Sequence, residues 1–455
     1  MKSFLFENLL QAEGWKSNVK IIVNDQGIIE KIDENYTEIT DEEIIKIAIP
    51  GIPNAHSHAF QYAMSGIAEN HAFNASSDFW SWRNAMYSLA LSIDPDDMQN
   101  IATMLYSEML NNGYTSVAEF HYLHHDKNGN PYYNKIEMSE RLMIAANHTG
   151  IKLTLIPICY SKGGFDQPPN EDQKRFISKD TEDYLDLFER CKQKVENYDS
   201  NVGIGIHSLR AVDYHMLNEI NSYNNNKHPF HLHISEQKKE IEDALKQYGK
   251  RPVEWLYNNL NIGKNHHLVH ATHLSESETN LIAKSQSNVV ICPITEANLA
   301  DGLFNFNLFQ ELKGKWCIGS DSHVGLSPLE EIRLLDYGQR LNTNKRNTFK
   351  SNSTGNSGEI ALKEIVLNGN HAMGVQKENY FELNHSLDFI EIDSENPLIT
   401  STSKNNLLNT IIYSGDKSVV KNTYTRGLNR TSTNPENKEN IKRRFSSTIN
   451  KLKNR

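Results

Sequence analysis

Ile47-Ala48-Ile49-Pro50-Gly51-Ile52-Pro53-Asn54-Ala55-His56-Ser57-His58 is an apolar run, punctuated by proline and glycine, that ends in two histidines either side of one serine. In an extended chain residues i and i+2 project to the same face, so the two imidazoles converge on one point. Standing alone, a His-x-His pair is more often two surface histidines than two metal ligands. At the end of an apolar strand it reads as the first half of a metal site, whose other ligands must come from elsewhere in the chain.

Counting 47–58 as the first, eight apolar runs recur, at 115–121, 152–158, 202–207, 230–235, 267–272, 288–293 and 316–321, with helical segments between them. Strands alternating with helices signal a parallel sheet with helical crossovers. Eight such units predict the α/β class and a (β/α)8 barrel of the TIM type, with its chemistry at the C-terminal ends of the strands. A doubly wound open sheet is the other arrangement compatible with the alternation. It would bring a glycine-rich phosphate turn after its first strand, and none is present.

The two ends have a different texture. Residues 1–48 carry short apolar runs separated by turn formers such as Asn24-Asp25-Gln26-Gly27, and similar runs return at 387–392 and 411–425 within 381–430. This predicts a small β-sandwich built from both termini, flanking a barrel over 49–380. The segment 342–358 is rich in Asn, Ser, Thr and Lys and reads as a mobile connection. The tail, 431–455, places Ile441, Phe445, Ile449 and Leu452 at helical spacing among Lys and Arg. It reads as a basic amphipathic helix docked on the body or on a partner subunit, in preference to a membrane-binding helix.

At 455 residues the chain has room for one enzyme-sized body and a smaller companion. A net charge of −10 argues against nucleic acid or an anionic membrane as partner, leaving a small polar substrate. The four cysteines, Cys159, Cys191, Cys292 and Cys317, lack Cys-x-x-Cys spacing and read as reduced core residues. The first ten residues have no uninterrupted apolar core of a signal peptide, and no run approaches about 18 apolar residues. A cytoplasmic protein is expected, with a homodimer as its assembly.

Chemically competent residues fall at the predicted strand ends. His56 and His58 close the first, His233 lies near the end of the fifth with Glu236 just beyond, His270 is on the sixth and Asp321 ends the eighth. Each histidine alone is more often structural; four matched strand ends point to a site. His56, His58, His233 and Asp321 make a three-nitrogen, one-oxygen set suited to one divalent metal, Zn2+ first and Fe2+ second, with a position left for water. A metal brings the pKa of bound water to about 7, so hydroxide is available to attack at neutral pH. Asp321 is placed to take the proton of that water, Glu236 to carry a proton to a leaving nitrogen, and His270 to polarise or orient the carbon under attack. The fourth strand ends in His207-Ser208-Leu209-Arg210 without a lysine to bridge a second ion, so one metal is expected.

These residues, in this order, resemble the metal-dependent amidohydrolase superfamily in its one-metal deaminase branch. Within it Asn54-Ala-His-Ser-His-Ala-Phe-Gln61, Phe79-Trp-Ser-Trp-Arg83, Val117-Ala-Glu-Phe-His-Tyr-Leu-His-His125, His207-Ser-Leu-Arg210, Cys292-Pro-Ile-Thr-Glu-Ala-Asn298 and Tyr337-Gly-Gln-Arg-Leu341 are similar to the formimidoylglutamate deiminase family. That resemblance, close over 51–341, implies hydrolysis of N-formimidoyl-L-glutamate to N-formyl-L-glutamate and ammonia in histidine degradation. It also implies that Gln61, Arg83, Tyr122, His207 and Arg210 hold the substrate.

The chemistry of the substrate agrees with it. A dianion needs cations for its carboxylates, and arginine's planar fork suits them. Competing readings are that Arg83 only stacks on Trp80 or Trp82, and that Tyr122 is a core aromatic, although its neighbours His121, His124 and His125 favour a rim. Residues 295–298 should face the site in no assigned role. Segments 342–358 and 368–370 are more polar than the resemblance implies. The alternatives to the whole reading are a one-metal deaminase of a nucleobase such as guanine, and a non-catalytic scaffold on the same fold.

Overall fold

The computed structural model describes the chain except 38–42, 68, 70–78, 347, 351–354, 432–434 and 454–455, and describes only the backbone of 79–81 and 435–436. Strands β1 (Lys2–Gln11), β2 (Gly14–Val23) and β3 (Ile29–Asp33) form an antiparallel meander, and β4 (Ile44–Pro50) runs parallel to β1. The run 47–58, expected as one strand, is two strands of two sheets. Gly51 divides them, its amide bonding Asp388 O at 3.1 Å, and β5 (Ile52–Ser57) then starts the barrel. A Cβ at Gly51 would lie 2.4 Å from the Thr115 side chain, so only glycine lets the chain step from one sheet to the other this close to its neighbour.

The barrel continues through β6 (Tyr114–His121), β7 (Lys152–Cys159), the two-residue β8 (Asn201–Val202) beside β7, then β9 (Ile204–Ser208), β10 (Phe230–Ile234), β11 (His266–His270), β12 (Asn288–Ile291) and β13 (Lys315–Ile318). The strands pair in parallel in the order β13-β12-β11-β10-β9-β7-β6-β5. All eight predicted runs carry a barrel strand, as the alternation of apolar runs and helices implies. The circle is completed beyond the last strand: Asp321 N bonds His56 O at 3.0 Å and His58 N bonds Asp321 O at 3.1 Å.

Finally β14 (Phe389–Ile392), β15 (Val420–Thr425) and β16 (Leu428–Asn429) join β4, giving the order β16-β15-β14-β4-β1-β2-β3. Both termini thus build the second body, as one continuous hydrogen-bonded sheet that turns back on itself. Leu387 N bonds Gly27 O at 3.0 Å, and Phe6 and Phe389 meet edge to face inside, centroids 5.1 Å apart. One part of the late β reading is corrected: Ile411 and Ile412 belong to a helix, Leu407–Tyr413, that buries Leu407, Leu408, Ile411 and Ile412. Their i, i+4 spacing is helical, and the strand begins only at Val420.

A buried ion pair, Lys152 with Asp388, ties β7 of the barrel to this sheet. Burial alone would raise the Asp388 carboxyl; Lys152, Lys377 and the Lys152 and Ser386 hydrogen bonds outweigh it and hold the group at about 2. A depressed carboxylate pKa contributes stability above the unfolded value and loses it as pH falls through the folded one. Asp388→Asn should therefore cost about 2 kcal/mol at pH 7 in urea unfolding, with the gap narrowing as pH falls from about 4 towards 2.

The tail helix, Pro435–Lys453, docks on the helix Pro95–Asn111 of the same chain, where Lys451 bonds Asp97 at 2.8 Å, and reaches the turn Ala59–Met64 after β5, where the Phe445 and Tyr62 ring centroids are 5.4 Å apart. The polar connection 342–358 lies partly outside the described residues. Its Phe349 is nonetheless buried, stacked on Trp316 at 5.7 Å. The polar segment 368–370 also has a packing reason. Asn368 caps Trp316 O at 3.0 Å, and a Cβ at Gly369 would meet Pro53 at 2.5 Å, so the helix Ser357–Ala372 can lie against β5 and β13. Among the described residues no helix is long and apolar enough to cross a membrane.

Candidate active site

The C-terminal ends of the barrel strands turn their side chains inward through left-handed backbone at Ser235 (φ 54°), His270 (φ 67°) and Asp321 (φ 49°). Non-glycine residues are uncommon there and persist where the surroundings hold them. His56, His58 and His233 bring their Nε2 atoms together: His56 to His58 is 3.1 Å and His56 to His233 is 3.0 Å. Asp321 Oδ1 lies 3.4 Å from His56 Nε2 and 3.2 Å from His58 Nε2.

Carbonyl oxygens fix two of the tautomers. His58 Nδ1 donates to Phe120 O at 2.9 Å and His233 Nδ1 to His207 O at 3.0 Å, so both rings present a bare lone pair at Nε2. Burial, helped by His58, holds the His56 imidazole at about 3, hence neutral, while burial pushes His233 well below its usual value. Burial raises the Asp321 carboxyl, but the His56 and His58 contacts overcome it and hold it well below the carboxylate range. Neutral imidazoles crowding their lone pairs beside a carboxylate repel one another unless a cation lies between them. A tetrahedral ion with bonds of about 2.0 to 2.1 Å spaces its ligands about 3.3 Å apart, close to the four separations of 3.0 to 3.4 Å given above. The four form a group able to hold a metal ion.

The backbone makes room for this cage. Gly319, at the end of β13, runs so close to β5 that an added Cβ would lie 2.6 Å from His56 Cβ. Gly319→Ala is expected to displace His56 and lower the metal bound by the purified protein several-fold, read by elemental analysis.

Glu236 and His270 stand beside the cage. His270 Nε2 lies 3.7 Å from Glu236 Oε1 and 3.9 Å from Asp321 Oδ2, while its Nδ1 is 3.2 Å from Glu296 Oε1. Burial would lower the His270 imidazole, but Glu236, the Glu296 hydrogen bond and Asp321 push it up to about 10, which makes it a donor on both nitrogens. Gln61, Arg83, Tyr122, His207 and Arg210 line the same cleft of roughly 490 Å³ as His58, His233, Glu236, His270 and Asp321. His56 sits behind it, in the floor. Two polar atoms of cleft-lining residues, Gln61 Oε1 and Arg210 Nε, are buried without a hydrogen-bond partner.

The ring beneath Arg83 is that of Tyr87, at 5.0 Å, with Arg83 Nε donating to Tyr87 Oη at 2.6 Å; the side chain of Trp80 lies outside the described residues. Tyr122 is buried and accepts from Gln61 Nε2 at 3.1 Å. Its histidine neighbours do not form a rim. His124 bonds Ile158 O at 2.9 Å and His125 bonds Ile177 O at 2.8 Å, pinning the loop to the scaffold.

Three residues beyond the expected set shape the site. Glu296, on the helix Pro293–Asn298, orients His270 and gives the segment 295–298 its role. Glu119 accepts Ser57 Oγ at 2.7 Å, Ala59 N at 2.6 Å and Tyr106 Oη at 3.1 Å, holding the turn that carries His56 and His58. Asn54 accepts Ser320 N at 3.0 Å and donates to Ser320 Oγ at 2.7 Å, locking β5 to the loop before Asp321. A carboxylate inside the apolar run Val117-Ala118-Glu119-Phe120 was the signal for the second. Glu296 lies in the segment 295–298 expected to face the site without a role, and Asn54 opens one of the stretches that carry the family resemblance, but neither residue by itself signals what it holds.

Residues 47–427 match the amidohydrolase family. The chain belongs to that family. A formimidoylglutamate deiminase from Pseudomonas aeruginosa is 38% identical over 428 residues, 94% of each chain. An amidohydrolase from Brucella melitensis superposes with a TM-score of 0.93 at 37% identity, covering 99% of this chain and 100% of that one. An adenosine deaminase from Xanthomonas campestris with bound zinc, at 18% identity and a TM-score of 0.81, covers 100% and 98% and shares the fold. The chain is thus a hydrolase of this family, and its four-donor group sits at the strand ends of the barrel.

Proposed function

We propose that the protein is a formimidoylglutamate deiminase that hydrolyses N-formimidoyl-L-glutamate to N-formyl-L-glutamate and ammonia, with one divalent ion held by His56, His58, His233 and Asp321. The observation that carries the reading is the junction, in one cleft, of the four-donor cage and its acid–base pair with two guanidinium groups. The deiminase from Pseudomonas aeruginosa supports it. Zn2+ fits the donor set best and Fe2+ second.

When bound, the ion supplies Lewis acidity, which brings the pKa of water to about 7. The chain's own groups do the rest. Asp321 takes a proton from the attacking water. Glu236 takes the water's other proton and delivers it to the departing nitrogen, and Asp321 returns there the one it took, so the imino nitrogen leaves as ammonia as its C–N bond breaks and the new C–O bond is retained. His270, fixed by Glu296, donates Nε2–H towards the reacting centre and orients it. Arg210 and Arg83 hold the two carboxylates, with Gln61, Tyr122 and His207 closing the wall between them.

The test is ammonia release from N-formimidoyl-L-glutamate with and without chelator. Turnover that disappears with chelator and returns with Zn2+ supports the reading; none under any metal rejects it. Guanine, assayed in parallel, tests the nucleobase alternative, which the two arginines disfavour because a ring substrate needs stacking and amide donors. A scaffold without activity would fold fully while retaining no metal. A cytoplasmic homodimer belongs to the same proposal and is read by light scattering of the purified protein.

A further inference from the structure

We infer that Glu240 is a positioning residue that couples Glu236 to Arg210, so that the proton-delivering group and the carboxylate-holding group keep one fixed relation. The inference rests on the roles proposed above for those two residues. Glu240 lies in the first turn of the helix Lys238–Tyr248, its side chain 1% exposed. Its Oε1 accepts the Ser235 amide at 3.0 Å, and its Oε2 accepts the Glu236 amide at 3.2 Å and lies 3.3 Å from Arg210 Nη1. Arg210 Nη2 is in turn 3.8 Å from Glu236 Oε2. Backbone, carboxylate, guanidinium and catalytic carboxylate therefore close a ring.

Two features make that ring more than packing. Ser235 holds left-handed backbone, which is costly for a residue with a Cβ and needs an external restraint; the Glu240 bond to its amide is one. Arg210 faces Glu240 with Nη1 and Glu236 with Nη2, while its Nε is buried without a hydrogen-bond partner. Glu240 thus fixes the plane of the guanidinium, and a planar fork grips a carboxylate only when its plane is right.

Glutamine in place of Glu240 cannot substitute. An amide has one acceptor oxygen, so in either orientation its NH2 faces a donor, the Ser235 amide or the Glu236 amide with Arg210.

The experiment compares Glu240→Gln with the parent, metal-loaded, on N-formimidoyl-L-glutamate and on an N-formimidoyl alkylamine without carboxylates. The ratio of kcat/KM between the two substrates does not depend on the fraction of active enzyme, so a merely structural role leaves it unchanged. The ratio is expected to shrink by about tenfold or more, the worth of one charged hydrogen bond. An unchanged ratio overturns the inference.

Should the single variant fail to fold, Glu240→Gln/Arg210→Met removes both buried charges. Amide hydrogen exchange over 231–237 is expected to be faster in it than in Arg210→Met alone, because the Glu240 bonds to the Ser235 and Glu236 amides are weakened, and equal exchange overturns the inference. If the parent itself releases no ammonia from N-formimidoyl-L-glutamate, the functional reading fails. Amide hydrogen exchange over 231–237 then decides: faster exchange in Glu240→Gln supports the positioning role, and parent-like exchange rejects it.

Discussion

Glu236→Gln is expected to lower kcat by about 10² to 10⁴-fold, the usual worth of a positioned proton donor, while bound metal and Tm stay at parental values. Glutamine keeps the size of the side chain and its contact with Arg210 but has no proton to accept and return. Metal should be retained because Glu236 stands outside the four-donor cage, 3.7 Å from His270 Nε2. The fold should be retained because Arg210 keeps Glu240 as a counter-charge, so no buried cation is left alone. Steady-state ammonia release, elemental analysis and thermal unfolding measure the three quantities. Near-parental turnover would move the proton transfer to another group.

Arg210→Met is expected to raise KM for N-formimidoyl-L-glutamate by about 100-fold, with a smaller fall in kcat and unchanged metal content. The guanidinium is 11% exposed, so a carboxylate bound there is largely desolvated and a charged hydrogen bond is worth about 1.5 to 3 kcal/mol or more. Some loss in kcat follows because Glu240 and Glu236 then face each other without a cation between them. For a carboxylate-free formimidoyl amine the same variant should keep the parent's KM and show only the smaller fall in kcat. Unchanged KM would remove Arg210 from substrate binding and leave it as the counter-ion of Glu240.

Much of the architecture was legible because each barrel strand announces itself as an apolar run of limited length, and four of the eight carry a reactive residue at or near the end. The places where the reading failed share one cause: neighbouring segments of similar composition that tertiary contacts divide. Nothing local in 47–58 says that Ile49 and Ile52 lie in different sheets; the division comes from Gly51 passing against Thr115. Ile411 and Ile412 look like strand residues until Leu407 and Leu408 are seen on the same buried helical face. The four-donor cage was legible because histidine and aspartate at the ends of apolar strands stand out in the sequence. Glu240, Glu296 and Asn54 were not, because a residue that acts by holding another carries no signature of its own.

The backbone bonds that complete the barrel run between the very residues that form the cage: His56 to Asp321 and Asp321 to His58. An ion shared by those side chains would act as a clasp across the seam, reinforcing the one junction where no full strand pairing helps. The catalytic metal and the integrity of the cylinder would then be one property, and a cell short of metal would lose molecules to unfolding as well as turnover.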